Sequence, residues 1–237
     1  MTSVTSELPL HAVLFDMDGT LVDTEGLWWE AVELVAGRPL TEADRPDVLG
    51  RPVEHTAAWL AEQDRTASAE GALGGRGPGA TADALAAALH REFAERVRAG
   101  VVPRPGALAL LAALARDGVP TALVTASPRA VADTVLDALG ALGAPEFAVS
   151  VTADDTERTK PEPEPYLAAC HALGVEPAHC VAVEDTPTGV ASAEAAGCAV
   201  LAVPSVAPID AAPGRTVLTG LTDVTPDRLR TMTTRRA

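Results

Sequence analysis

From residue 104 onward, helix and strand signals alternate at short intervals. That alternation constrains the fold more than any other feature of the chain. "RPGALALLAALARDG" (104–118) carries apolar residues at helical spacing, with Pro105 near its start and Gly118 after its end. "VPTALVT" (119–125) follows as a strand, "PRAVADTVLDALGAL" (128–142) as a helix and "FAVSVT" (147–152) as a strand. Helix, strand, helix and strand continue through "PYLAACHALG" (165–174), "CVAVED" (180–185), "PTGVASAEAAG" (187–197) and "CAVLAV" (198–203). The strand segments are short apolar runs without a two-residue period. Such strands are buried on both faces, so the pattern predicts an α/β fold with a parallel sheet covered by helices. "HAVLF" (11–15) reads as one more buried strand of the same sheet.

Residues 24–100 interrupt this scheme. "TEGLWWEAVELVAG" (24–37), "EHTAAWLAEQ" (54–63) and "ADALAAALHREFAERV" (82–97) all have helical spacing, and no strand signal separates them. The glycines and Pro78 of "ASAEGALGGRGPGA" (67–80) mark a flexible loop. The expected organisation is therefore a sheet core of residues 1–23 and 101–237, with an α-helical domain of residues 24–100 inserted into it. The final "PDRLRTMTTRRA" (226–237) is expected to fray as a solvated tail.

Composition narrows the chemistry. The 237 residues hold 18 Lys and Arg against 33 Asp and Glu, a net charge of -15. A nucleic-acid backbone needs clustered cations, so no nucleic-acid partner is expected. A small anionic substrate would need a local positive field that overcomes the global one. No apolar run is long enough to span a membrane, and the first residues do not read as a secretory leader. Cys170, Cys180 and Cys198 are odd in number and lack metal spacing, which suits a reducing cytoplasm and small buried apolar roles.

In open parallel sheets, sites form beyond the C-terminal ends of the strands. Four such ends here are polar. The first strand runs into Asp16 and Asp18, the second into Thr125 of "LVTAS", the third into the loop holding Lys160, and the fourth into Glu184 and Asp185. Asp16, Asp18, Glu184 and Asp185 would crowd one rim, and four carboxylates cannot all stay ionised there without a cation. Hard oxygen ligands in that number suit Mg²⁺. Lys160 and the Thr125 hydroxyl add donors for an anion, and Gly19 leaves backbone N–H groups open to the same anion.

These residues carry a resemblance to a known family. "DMDGT" (16–20), Thr125 of "VTAS", Lys160 of "TKPEPEPY" and "EDTPTGVASAEAAG" (184–197) resemble, in order, the four motifs of the haloacid dehalogenase superfamily. The likeness is to its branch of β-phosphoglucomutases and small-metabolite phosphatases with a helical cap. The resemblance spans nearly the whole chain and implies a Rossmann-like core, a Mg²⁺ cofactor, a small phosphorylated metabolite as substrate and a monomer. It also implies roles. Asp16 attacks phosphorus and forms an aspartyl-phosphate, and Asp18 protonates the leaving alcohol and then activates water. Gly19, Thr125, Ala126 and Lys160 hold the phosphoryl oxygens. Asp16, the backbone carbonyl of Asp18, and Asp185 hold the metal, with Glu184 as a ligand or as water-mediated support. A turn at Gly19 would aim two carboxylates, spaced one residue apart, at opposite sides of one phosphorus.

Plainer roles exist for each residue. Asp16 and Asp18 could open a turn, Thr125 could cap a helix, Lys160 could be a solvated charge, and Glu184 and Asp185 could favour a helix dipole. His55, His171 and His179 share no ligand spacing. In the inserted helices, Arg51 of "LGRP" and Trp28 are the candidates for substrate choice, against solvation for Arg51 and packing for Trp28. Three other functions compete with a phosphatase. A sugar-phosphate mutase of the resembling kind carries a cap histidine where a gap-free alignment here puts Trp28, which has no basic nitrogen. A dehalogenase of the superfamily needs no second aspartate at Asp18. A catalytically silent binding module should have lost at least one motif residue.

Overall fold

The computed structural model describes residues 10–69 and 80–233. Most of the expected 67–80 loop, and most of the segment read for a leader, lie outside the described residues. The described chain divides into two compact units: one comprises the residues up to Asp23 together with those from Val102 onward, the other Thr24–Val101.

The first unit is built on six parallel strands. They are β1 (Ala12–Phe15), β4 (Thr121–Val124), β5 (Val149–Val151), β6 (Cys180–Glu184), β7 (Ala199–Ala202) and β8 (Arg215–Val217), in the order β5-β4-β1-β6-β7-β8. This is the expected α/β fold. β1 lies in the interior of the sheet, with Val13 in register with Thr121 on one side and Val181 on the other. Every β1 side chain is buried. Ala12 and Leu14 join a core cluster with Tyr166, Ala169, Val190 and Ala193, so α7 (Glu164–Leu173) and α8 (Pro187–Ala196) cover that face. Val13 and Phe15 alternate to the other face and are just as buried, which is why the strand shows no polar period. α5 (Ala107–Arg116) and α6 (Arg129–Ala141) complete the α/β alternation.

Four elements depart from the expected pattern. β8 is a half-buried three-residue edge strand with no apolar run to announce it. β2 (Val22–Asp23) and β3 (Val102–Pro103) pair antiparallel as a short ribbon, and the second unit is inserted between them. The C-terminal segment does not fray over its described length. α9 (Pro226–Thr233) packs against β6 and β7, because Leu229 and Met232 on one face bury their side chains.

The second unit is helical throughout its described residues: α1 (Glu25–Ala36), α2 (Arg45–Val48), α3 (Val53–Ala69) and α4 (Ala82–Ala99). α4 begins at Thr81, whose hydroxyl accepts the Ala84 N–H, and buries Leu85, Leu89, Phe93 and Val97 at helical spacing. No helix among the described residues is long and apolar enough to cross a membrane.

Candidate active site

The chain leaves β1 at Asp16, whose N–H donates to the Val183 carbonyl of β6 (3.0 Å). It then turns tightly. The Leu21 N–H donates to the Met17 carbonyl (2.9 Å), and the Gly19 N–H, expected to be open to an anion, donates instead to the Val22 carbonyl (2.9 Å). Gly19 has φ +79°, a left-handed conformation that disfavours any side chain, and a Cβ there would lie 2.1 Å from Asp185 Oδ2. Glycine thus lets the first-strand loop close onto the end of β6.

Lys160 forms the centre of the cluster. Its ammonium donates to Asp16 Oδ1 (2.6 Å), to Glu184 Oε1 (2.6 Å) and to the Val124 carbonyl (2.9 Å), which accounts for all three of its protons. Lys160, Asp16, Glu184 and Asp185 are all buried. Oxygen atoms of Asp16, Glu184 and Asp185 lie within 4.8 Å of one another. Burial alone would pull the Lys160 ammonium down, but the Asp16 and Glu184 charges outweigh it and hold the group above its ordinary value. Burial pushes the Glu184 carboxyl up to about 7, against the pull of Lys160. Asp185 is pushed well up by burial and then by the Asp16 and Glu184 charges.

Three buried carboxylates therefore face one ammonium, and Glu184 Oε2 is buried without a hydrogen-bond donor. That is the donor set and the charge deficit that a hard divalent cation such as Mg²⁺ would satisfy, so the residues fit the expected metal. The Asp18 side chain is not among the three clustered carboxylates; it accepts instead from the Ser127 hydroxyl at 2.7 Å.

The remaining expected phosphate-binding residues sit at the end of β4. The Thr125 N–H donates to the Val151 carbonyl (2.9 Å), and its hydroxyl oxygen accepts the Ser127 N–H (2.9 Å), leaving the hydroxyl proton to donate elsewhere. Thr125 does not cap α6, whose N-cap is Pro128. Ala126 is exposed beside it.

Four hydroxyl partners escaped the sequence reading. Ser127 holds Asp18, Thr20 (3.3 Å) and Ser205 donate to the two oxygens of Asp185, and Tyr166 donates to Glu184 Oε1. Tyr166 is fully buried, and burial followed by the Glu184 and Asp16 charges raises its phenol well above the ordinary value. Ser205 follows β7, so extending the strand-end argument to a fifth strand would have found it. The other residues singled out have contacts of their own. His55 pairs with Asp47 (3.0 Å), His179 contacts His11 (3.2 Å), and the three cysteines are buried and form no disulfide. Within the helical unit, Arg51 is exposed and donates from Nε to the Pro46 carbonyl (3.0 Å). Trp28 donates to the Val48 carbonyl (2.8 Å) and packs edge-on against Phe93.

The chain is similar to known proteins. A phosphorylated carbohydrates phosphatase of Thermotoga maritima is 30% identical over 192 residues, covering 79% of this chain and 82% of its own length. Hexitol phosphatase A of Escherichia coli is 54% identical over 55 residues, 23% of this chain. That match takes in only 26% of the Escherichia coli protein. The crystal structure of CbbY from Rhodobacter sphaeroides in complex with phosphate superposes with a TM-score of 0.73 at 23% identity, covering 93% of this chain and 99% of CbbY, and so shares the fold. The model of the haloacid dehalogenase-like hydrolases matches residues 10–197, and with the relatives above it shows that this chain belongs to that family.

Proposed function

We propose that the chain is a Mg²⁺-dependent phosphatase that hydrolyses a small phosphorylated metabolite through an aspartyl-phosphate at Asp16. The observation that carries this reading is the asymmetry of Asp16. Lys160 occupies Oδ1, while Oδ2 is buried with no donor on it. A carboxylate oxygen left without a donor keeps its electron pairs for attack on phosphorus.

In this reading Asp16 Oδ2 bonds to phosphorus as the bond to the leaving oxygen breaks, and Asp18 gives that oxygen a proton. Asp16 Oδ1 then becomes an acyl oxygen of lower charge, and Lys160 shifts its donation toward the phosphoryl oxygens, where the Thr125 hydroxyl also donates. Asp18, now ionised, takes a proton from water as the water attacks phosphorus and releases phosphate from Asp16. Asp16, Glu184 and Asp185 would hold Mg²⁺, with the Asp18 carbonyl as the expected fourth protein ligand. When bound, it supplies electrostatic stabilisation of phosphoryl charge.

The phosphatase relatives favour a sugar phosphate or a similar polyol phosphate as the substrate class. Hydrolysis is favoured over a mutase because Trp28 spends its indole N–H on Val48 and has no basic nitrogen to offer. The acidic balance argues against a nucleic-acid substrate, and three buried cysteines outside any disulfide suit the reducing cytoplasm, where the protein would act as a monomer. The test is a screen of phosphorylated metabolites for phosphate release, with Mg²⁺ and with excess chelator. Release that requires Mg²⁺ and disappears in Asp16→Asn is expected. Undiminished turnover in chelator, or isomerised hexose phosphate outpacing phosphate release, would contradict the proposal.

A further inference from the structure

Ser127 lies between two residues that the proposed reaction uses. Its N–H donates to the Thr125 hydroxyl oxygen (2.9 Å), and its carbonyl accepts the Ala153 N–H (3.1 Å). Its hydroxyl donates to Asp18 Oδ2 (2.7 Å), although 109 residues separate the two in the chain. A bland explanation would make Ser127 the cap of α6, but α6 starts from Pro128 and takes no side-chain cap. The backbone of Ser127 is thus pinned on both sides, and the hydroxyl makes its contact with the first-strand loop.

We propose that Ser127 is a positioning residue that holds the Asp18 carboxyl so that Oδ1 carries the proton delivered to the leaving oxygen. The inference rests on the phosphatase reading above and goes beyond it. A general acid works only within hydrogen-bond reach of the atom it protonates. An aspartate on a loop can rotate about two side-chain bonds, and a donor on one oxygen removes most of that freedom. The Ser127 proton also cannot face a second proton, so the acid proton resides on Oδ1. In the first step the Asp16 Oδ2–phosphorus bond forms, and the phosphorus–leaving oxygen bond breaks with its electron pair on that oxygen. The proton then passes from Asp18 Oδ1 to the same oxygen, while the Ser127 proton stays in place. Because Thr125 accepts from Ser127, one loop sets both a phosphoryl-oxygen donor and the aim of the acid.

The experiment compares wild type, Ser127→Ala and Ser127→Thr on para-substituted phenyl phosphates, from p-nitrophenyl phosphate to phenyl phosphate. p-Nitrophenolate departs without protonation, whereas phenolate needs the acid. The expected result for Ser127→Ala is a kcat/KM loss at least ~10-fold larger on phenyl phosphate than on p-nitrophenyl phosphate, since general acids contribute ~10²–10⁴-fold. The loss should fall on kcat and be largely restored in Ser127→Thr. Equal losses on all substrates, a rise confined to KM, or no recovery in Ser127→Thr would overturn the inference and leave the phosphatase reading standing. No hydrolysis of any of these esters by the wild type would overturn both.

Discussion

Lys160 and Asp16 meet in a buried 2.6 Å contact, although 144 residues separate them in the chain. The same ammonium bonds Glu184, so its removal strands two buried charges. Breaking one partner of a buried ion pair costs about 3–5 kcal/mol, more than the pair itself contributes. Lys160→Met is therefore expected to lower the urea midpoint of the metal-free protein sharply and to abolish turnover. Equilibrium unfolding measures the first effect. A midpoint within error of wild type would show that the acids are already neutralised by other means.

Two glycines hold the acids in place by lacking a side chain. At Gly19, alanine would adopt a left-handed backbone costing about 1–2 kcal/mol and would collide with Asp185 Oδ2. Gly19→Ala should lose nearly all activity and most of its Mg²⁺ affinity. Gly189 lies within α8, where alanine ordinarily gains about 1 kcal/mol. Here its Cβ would stand 2.0 Å from the buried Glu184 Oε2, so overpacking reverses the sign, to a net loss of about 1–3 kcal/mol. Thermal unfolding of both variants checks the pair; a more stable Gly189→Ala would contradict the packing argument.

Asp185 tests the proposed metal without an activity assay. Asp16 and Glu184 crowd it, and both charges, after burial, disfavour its ionised form. Neutralising it relieves that repulsion, so metal-free Asp185→Asn should be at least as stable as metal-free wild type. A ligand at 100 times its Kd adds about 2.7 kcal/mol to the native state, and wild type should gain several degrees in Tm with saturating Mg²⁺. The variant should gain little. Equal Mg²⁺ shifts in both proteins would remove Asp185 from the ligand set.

The helical unit has its own pH signature. The Arg38 hydrogen bond, working against burial and aided by Thr41, lowers Asp44 to about 2. A carboxyl held below its unfolded value of 3.8 contributes its full stabilisation above that pH and loses it as the pH falls through 2. Arg38 is 40% exposed, so the ion pair is screened and contributes about 0.5–1 kcal/mol. Asp44→Asn should lower the Tm by a few degrees near pH 6 and by much less near pH 2. A constant difference across that range would exclude the ion pair as the cause.

The apolar runs at 11–15, 119–125, 180–185 and 198–203 announce their strands because burial on both faces leaves little room for polar residues, whereas 147–152 forms a partly buried edge strand. β8 gives no such signal: a half-buried edge strand of three residues borrows its stability from β7 through backbone hydrogen bonds. α9 departs from the expected frayed tail for a related reason. Its Leu229 and Met232 are too few to signal a buried face among the surrounding Arg and Thr, and only docking on β6 and β7 buries them. At the site, the acids and Lys160 stand out because charged residues at the ends of apolar strands need a chemical reason. Ser127, Ser205 and Tyr166 do not, because a hydroxyl is unremarkable in sequence and acquires meaning only from the carboxylate it reaches in the fold.

The central claim is that phosphorus becomes bonded to Asp16. An acyl phosphate is reduced by borohydride to the alcohol, which would convert Asp16 to homoserine. Wild-type protein mixed with a turned-over aryl phosphate, quenched within one turnover and reduced should give a peptide spanning residues 10–20 with homoserine at position 16. The mark should be absent from Asp16→Asn and from wild type quenched without substrate. Reduction at Asp18, at Glu184 or at Asp185, or full turnover with no reduced residue, would contradict the account.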